Sequence, residues 1–391
     1  MNLLVPPRLS LYVHIPWCVQ KCPYCDFNSH TLKAEIPEDQ YIAALLQDLR
    51  DDLLRYRLND SPRVLHSIFI GGGTPSLISP KGIAALLNGI EQQISFQPDI
   101  EITMEANPGT IEAERFAGYQ KAGVTRISIG VQSFEAAKLS RLGRIHGQEE
   151  AINAARLAHK IGLKSFNLDL MHGLPDQTIE QALADLDQAI ELDPPHLSWY
   201  QLTIEPNTLF YYKQPQLPDD DDLWDIFEIG HQKLTEAGYV QYETSGYSKP
   251  EYQCRHNLNY WRFGDYLGIG CGAHGKLSFS DGRIIRTTKI KHPKGYLAAF
   301  DNMVKPYLSS EHNVEDAERP FEFFMNRFRL TEACPKNDFI STTGLSLNAI
   351  QPVMDWAIGL EYITETETHW QVTQKGKLFL NDLLAAFMPE D

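Results

Sequence analysis

The sequence lacks any apolar run near the roughly 18–20 residues that a membrane-spanning helix needs, so the expectation is that this is not an integral membrane protein. Positive charge is also short: 35 Lys and Arg stand against 51 Asp and Glu, a formal net charge of −16. That balance argues against nucleic acid as a partner and against a basic membrane-binding surface. The stretch Met1-Asn2-Leu3-Leu4-Val5-Pro6-Pro7-Arg8 has neither the length nor the order of a secretory signal. Cysteine is scarce, six in 391 residues, and half of them fall within one short run. An odd group of thiols in a chain with no secretory mark makes a poor disulfide framework. The expected compartment is the cytoplasm, where unpaired thiols survive. No GxGxxG opens a helix after the first strand, which disfavours a doubly wound nucleotide fold. What is present, 43% apolar and 22% charged residues over 391 positions, suffices for a large core and more than one domain.

The thiol run is Cys18-Val19-Gln20-Lys21-Cys22-Pro23-Tyr24-Cys25, a CxxxCxxC pattern directly after a short apolar segment. Structural zinc takes four protein ligands, and a [4Fe–4S] cluster normally takes four cysteines, one per iron. Three cysteines with no fourth nearby suggest a cluster with one iron open to an outside ligand; zinc and redox thiols are the alternatives. The position that might carry a fourth thiol, two after Cys25, is Phe27.

The rest of the first half alternates two periods. Apolar or alternating stretches predict strands over 9–15, 65–70, 100–106, 126–131, 165–170 and 196–203. Helical patterns over 37–56, 80–94, 111–122, 149–161 and 178–192 separate them. Six such units predict an α/β fold, an open partial (β/α)6 barrel, with function at the C-terminal ends of its strands. Residues 1–205 form this barrel, and residues 206–310 are an α+β segment flanking it. In that segment Asp219-Asp220-Asp221-Asp222 reads as a helix start matched to the macrodipole, with a helix over 223–237. Residues 311–391 form a small winged-helix-like domain: an amphipathic helix with Phe321, Phe324, Phe328 and Leu330 on one stripe, further helices over 345–354 and 357–360, a hairpin over 362–373 and a helix over 375–387. Its few basic residues make a lid or docking surface the better expectation than DNA binding.

Several strand ends carry residues with two readings. Gly71-Gly72-Gly73-Thr74-Pro75 is either a tight turn or a loop offering bare backbone to a ligand. Glu105 reads as a ligand carboxylate or a solvated turn. Gln132, Arg144 and Asp169 sit at or just beyond strand ends, and such a set can hold a zwitterionic ligand by charge-assisted hydrogen bonds. His256-Asn257-Leu258-Asn259-Tyr260-Trp261 offers an imidazole beside two aromatic faces, which suits a porphyrin or equally a packed core. The glycine-rich turn 267–275 is expected to close the barrel mouth, and Cys254, Cys271 and Cys334 read as small buried hydrophobes.

CxxxCxxC after the first strand resembles the radical S-adenosylmethionine (SAM) superfamily. The flanking Leu11-Tyr12-Val13-His14-Ile15-Pro16-Trp17 is similar to the oxygen-independent coproporphyrinogen III oxidase group. The oxidases of that group carry CxxxCxxCxC; with Phe27 at the last position, the sequence resembles the group's heme chaperone branch instead. This resemblance implies a [4Fe–4S] cluster on Cys18, Cys22 and Cys25, with SAM on the open iron. It implies SAM contacts at Tyr12, Tyr24, Gly72, Gly73, Thr74, Glu105, Gln132, Arg144 and Asp169. The HNxxYW stretch is similar to the heme-associated motif of that branch, which makes His256, Tyr260 and Trp261 candidate heme contacts. Heme and heme-accepting proteins are then the expected partners, with a homodimer as one assembly to test. Two other functions stay open: a coproporphyrinogen III oxidase, and a SAM-binding protein whose cluster is only structural.

Overall fold

The computed structural model describes residues 4–58, 60, 63–109, 114–301 and 307–389. Six parallel strands form the barrel wall: β1 Leu9–Ile15, β2 Leu65–Gly72, β3 Phe96–Ala106, β4 Arg126–Gln132, β5 Ser165–His172 and β6 His196–Gln201. They follow one another in sequence order across the sheet, each joined to the next by a parallel crossover. A seventh strand, β7 Asp265–Ile269, lies parallel to β1 on its other side, with Leu11 opposite Leu267. Antiparallel strands His274–Ser278, Ile284–Lys289 and Leu308–Asn313 extend that edge, and Gly246–Ser248 pairs antiparallel with β6 at the opposite edge. Strands between Val240 and Asn313 thus lengthen the barrel sheet at both ends, and Leu308–Asn313 runs across the boundary expected at 310.

Strand alternation has a specific meaning here. Leu9, Leu11, Val13 and Ile15 of β1 join the main apolar core with Tyr41, Leu45, Leu49 and Leu53 of helix Glu38–Arg55. The intervening Ser10 and Tyr12 turn into the lumen, which is polar: Ser10 Oγ meets Ser67 Oγ at 2.7 Å, and Ser128, Asn167 and Asp169 form a hydrogen-bonded chain. The lumen is a site, not a packed layer of branched residues. Its floor is closed by helix Arg255–Trp261, whose Asn259 Nδ2 donates to Ser10 Oγ and to Asp265 O.

The outer seam is pinned by charge. Lys289 Nζ reaches Asp48 Oδ1 at 2.6 Å and Asp52 Oδ1 at 2.7 Å, all three side chains buried. Removing one partner of such a set leaves an uncompensated buried charge, a loss of about 3–5 kcal/mol.

Helix Asp220–Glu236 begins at the acidic run, where the Asp219 carboxylate accepts from the Asp222 N–H at 2.9 Å. The C-terminal module has its own core of Phe323, Phe324, Phe328, Phe339, Met354, Trp370 and Phe387, joined by Phe263 and Ile284 from the sheet side. The aromatic stripe is therefore packing. Its three-stranded sheet orders Cys334–Pro335, His369–Val372 and Ile363–Glu365.

Several expectations change: in place of helices over 345–354 and 357–360 the structure has helices Lys336–Thr343 and Gln351–Gly359. The helix expected over 375–387 is two pieces, Gln374–Leu378 and Leu380–Ala385, with Phe379 capping one and starting the other. A helix at Ala136–Arg141, too short for a periodic signal, was not expected. Of the helix over 111–122, residues 110–113 lie outside the described residues and Phe116–Ala122 is helical. Among the described residues no helix is long and apolar enough to cross a membrane.

Candidate functional site

The cysteine loop leaves β1 and is closed on itself. Trp17–Cys18 pairs with His30–Thr31, and inside this bracket Cys25 N–H donates to Cys22 O at 3.2 Å. Lys21 Nζ braces the loop by donating to Phe27 O at 3.2 Å, and Asn28 Nδ2 ties it to Cys271 O and Lys291 O at 2.9 Å. The glycine-rich turn 267–275 therefore supports the loop from behind. The expectation that it closes the mouth is corrected, because its residues do not line the cavity.

Cys18 is buried, and Cys22 and Cys25 are half-buried. Burial pushes the Cys18 thiol up, and the Thr74 and Ser29 hydroxyls pull it back. Among the described residues no three His, Cys, Asp or Glu side chains converge as ligands of one ion do. The three thiols instead border a cavity of about 380 Å³ at the C-terminal ends of the strands. A cubane cluster takes each thiolate on a different iron, and the donor set fits that.

The opposite wall is built by the strand ends. At Gly72 φ is +116°, and a Cβ there would lie 2.5 Å from the His14 ring; at Gly73 it would lie 2.5 Å from Trp17 O. These glycines let β2 pass against the loop. The N–H groups of the turn are already used: Gly72 donates to Glu105 Oε2 (2.9 Å), Gly73 to Ile15 O (2.7 Å) and Thr74 to Trp17 O (2.7 Å). A ligand here meets carbonyl oxygens, and so needs donors such as an ammonium group.

Glu105 lines the cavity and is no solvated turn: burial pushes its carboxyl up to about 8, with Asp169 adding to the shift and the Gly72 N–H and Arg144 opposing it. Burial also raises Asp169, whose oxygens accept from Ser128 Oγ at 2.9 Å and Asn167 Nδ2 at 2.7 Å. Across from them Arg144 Nη1 donates to Asn107 Oδ1 at 3.0 Å, while its buried Nε has no partner among the described residues. Gln132 ends β4 at a bulge with φ of +70°, a strained conformation for a non-glycine residue, and accepts the Tyr200 hydroxyl at 2.8 Å. Among the described residues, two carboxyl groups without an ion pair, one guanidinium N–H without an acceptor, and a carbonyl-rich turn match a ligand with two positive centres and one carboxylate, as SAM has.

Cys18, Cys22, Cys25, Tyr24, Gly72, Gly73, Thr74, Glu105, Gln132, Arg144 and Asp169 all border this one cavity. Tyr12 does not; it lies deeper, its hydroxyl 3.0 Å from His14 Nδ1 and its ring stacked on Phe69. Asn107 and Tyr200 belong to the site and were not singled out from sequence. Asn107 follows Glu105 by two positions, and that shared strand end was the available signal.

The HNxxYW helix lies elsewhere. His256 is 7% exposed; its Nδ1 is 3.2 Å from Ser67 Oγ, its N–H donates to Glu101, and its ring lies 5.2 Å from Phe69. Burial, with His66 adding to it, pushes this imidazole down to about 3. Tyr260 and Trp261 meet edge to face at 82°, and Arg329 covers the Trp261 ring at 4.4 Å. In this conformation the His256 imidazole is buried, and Arg329 covers the Trp261 ring.

A parallel barrel with three cysteines and glycine-lined carbonyls at its mouth defines a radical SAM fold, and residues 12–188 match the Radical SAM superfamily model. Residues 314–379 match the HemN C-terminal domain. The solved coproporphyrinogen III oxidase (HemN) of Escherichia coli superposes over 98% of this chain and 90% of that one with a TM-score of 0.81, at 23% identity, a likeness of fold. Full-length relatives are nearer in sequence: the heme chaperone HemW of Haemophilus influenzae is 64% identical and that of E. coli 63%, each over 98% of this chain and 99% of the relative. The heme chaperone HemW of Bacillus subtilis is 34% identical over 97% of this chain. The chain belongs to the heme chaperone HemW family, a branch of the radical SAM superfamily, and that membership implies a [4Fe–4S] cluster and SAM.

Proposed function

We propose that the protein is a cytoplasmic heme chaperone that binds heme and passes it to acceptor proteins, with a [4Fe–4S] cluster on Cys18, Cys22 and Cys25 and SAM in the adjoining cavity. The observation that carries this reading is the near-complete, 64% identical match to a heme chaperone. Phe27, 57% exposed on the cluster loop where the oxidases have a further cysteine, agrees with it.

A [4Fe–4S] cluster held by Cys18, Cys22 and Cys25 would, once reduced, supply the electron for cleavage of SAM, the chemistry of the superfamily. The residues of this chain have separable tasks. The carbonyls of the Gly72–Thr74 turn accept hydrogen bonds from the ligand's ammonium. Glu105 and Asp169 balance its positive charge, and Arg144, held by Asn107, meets its carboxylate. Tyr24 and Gln132, the latter fixed by Tyr200, complete the wall. Heme contact at His256, Tyr260 and Trp261 requires their helix to lift from the barrel floor, because the imidazole now faces Ser67 and Phe69.

Heme transfer tests the reading. The heme-loaded chain, mixed with an apo-hemoprotein, should lose its Soret band as the acceptor's appears, faster than acceptor takes up heme from a heme-loaded serum albumin control. Heme that stays on the chain through a hundredfold excess of acceptor would remove the chaperone role.

A further inference from the structure

A second cavity, of about 1000 Å³, opens between helix Asp220–Glu236 and the C-terminal module. Its size stands at the upper end of the range for small-molecule sites. One wall is a helical stripe, Trp224, Phe227 and His231, spaced i, i+3 and i+7 so that the three share a face. The Phe227 and His231 rings stack at 18°, and Trp224 lies 6.1 Å beyond Phe227. Leu330 and Leu378 line the facing side. Trp224 is 42% exposed and Leu378 60%, a large apolar surface to leave wet in a chain this acidic.

Two polar features distinguish this cleft from a plain apolar groove. The His231 Nδ1 is 3.1 Å from the Tyr247 hydroxyl. In the tautomer that donates Nδ1–H to Tyr247, Nε2 keeps its lone pair, the arrangement by which metal-ligating histidines are oriented. Lys377 borders the same cleft, and among the described residues it makes no ion pair.

We infer that this cleft is a heme site, with His231 Nε2 as axial ligand to the iron, Trp224 and Phe227 against the macrocycle, and Lys377 paired with a propionate. The inference rests on the heme-chaperone reading and gives it a location that needs no opening of the barrel floor. It also connects the HNxxYW helix to the cargo: Arg329, on the cleft wall, lies over Trp261, and Leu330 packs in one apolar cluster with Leu258 and Trp261. That helix then acts as the back support of the cleft.

The test is a hemin titration of the full-length protein, followed by Soret shift, with iron-free protoporphyrin IX as a second probe read by fluorescence. Circular dichroism checks the fold of each variant. H231A and the milder H231Q should each weaken hemin binding at least tenfold while changing protoporphyrin affinity less than threefold, since the apolar walls remain. K377E should weaken both probes, and added salt should narrow its difference from wild type. Wild-type hemin affinity in both H231Q and K377E would overturn the site, as would a loss confined to H256A. A wild-type chain that binds no hemin would instead overturn the chaperone reading beneath it.

Discussion

Glu105 offers a quantitative check on the SAM cavity. Burial and the neighbouring Asp169 raise its carboxyl to about 8, while burial also raises Asp169 against the opposing Ser128 and Asn167 hydrogen bonds. At pH 7 a group with that pKa is about nine-tenths protonated. A ligand with a sulfonium and an ammonium centre favours the carboxylate, so binding must expel the proton. Two consequences can be measured. Calorimetric titrations at pH 7 in buffers of different ionisation enthalpy should report release of about 0.9 proton per SAM bound. The affinity should also fall by up to tenfold for each pH unit below 8, the limiting slope for one linked proton. Glu105→Gln should remove both effects and leave iron content unchanged, since no thiol is touched. A buffer-independent enthalpy with a flat affinity between pH 6 and 8 would refute the charge matching ascribed to Glu105.

Other expectations follow from the same geometry. Cys18→Ala, Cys22→Ala and Cys25→Ala should each lose the brown iron–sulfur absorption after anaerobic reconstitution, whereas Cys254→Ala and Cys334→Ala, altering buried thiols far from the loop, should keep it; stoichiometric zinc without sulfide in the wild type would end the cluster assignment. Arg144→Ala should weaken SAM by roughly 1.5–3 kcal/mol, the worth of a hydrogen bond to a charged group, and equal affinity in an equilibrium binding assay would show that Arg144 does not meet the ligand. Burial lowers His14, His146 and His172 each to about 4. The unfolded chain protonates them from about pH 6.5 downward while the folded one does not, so stability present above 6.5 is lost toward pH 4, on the order of several kcal/mol. A urea midpoint that stays constant from pH 7 to 4.5 would contradict this.

Much of the site was legible because its signals are local. Three cysteines in one run, three glycines before Thr74, and acids at strand ends are set by neighbours in the chain, and the strand–helix periods placed those ends together at one mouth. What was not legible depends on distant pairings. Nothing near Asp265 says that its strand docks beside β1, and that docking turns the 267–275 turn toward the back of the cysteine loop. That His256 faces Ser67 in the lumen was not legible, because an imidazole beside Tyr260 and Trp261 reads alike on a surface and in a lumen. The polar lumen was hidden for a similar reason, since Ser10 and Tyr12 between apolar neighbours look like a solvated face. Asn107 and Tyr200 act through Arg144 and Gln132 and carry no pattern of their own. His231 sits in an ordinary amphipathic helix, and its cleft exists only once the C-terminal module packs opposite.

The most direct measurement gives the reconstituted wild-type protein its two alternative cargoes side by side. With SAM and a low-potential reductant, coproporphyrinogen III should be recovered unchanged, without protoporphyrinogen IX, while hemin added to the same preparation should give a Soret shift that saturates near one per chain. Turnover of coproporphyrinogen III together with no saturable hemin binding would contradict the chaperone assignment and return the chain to the oxidases whose fold it shares.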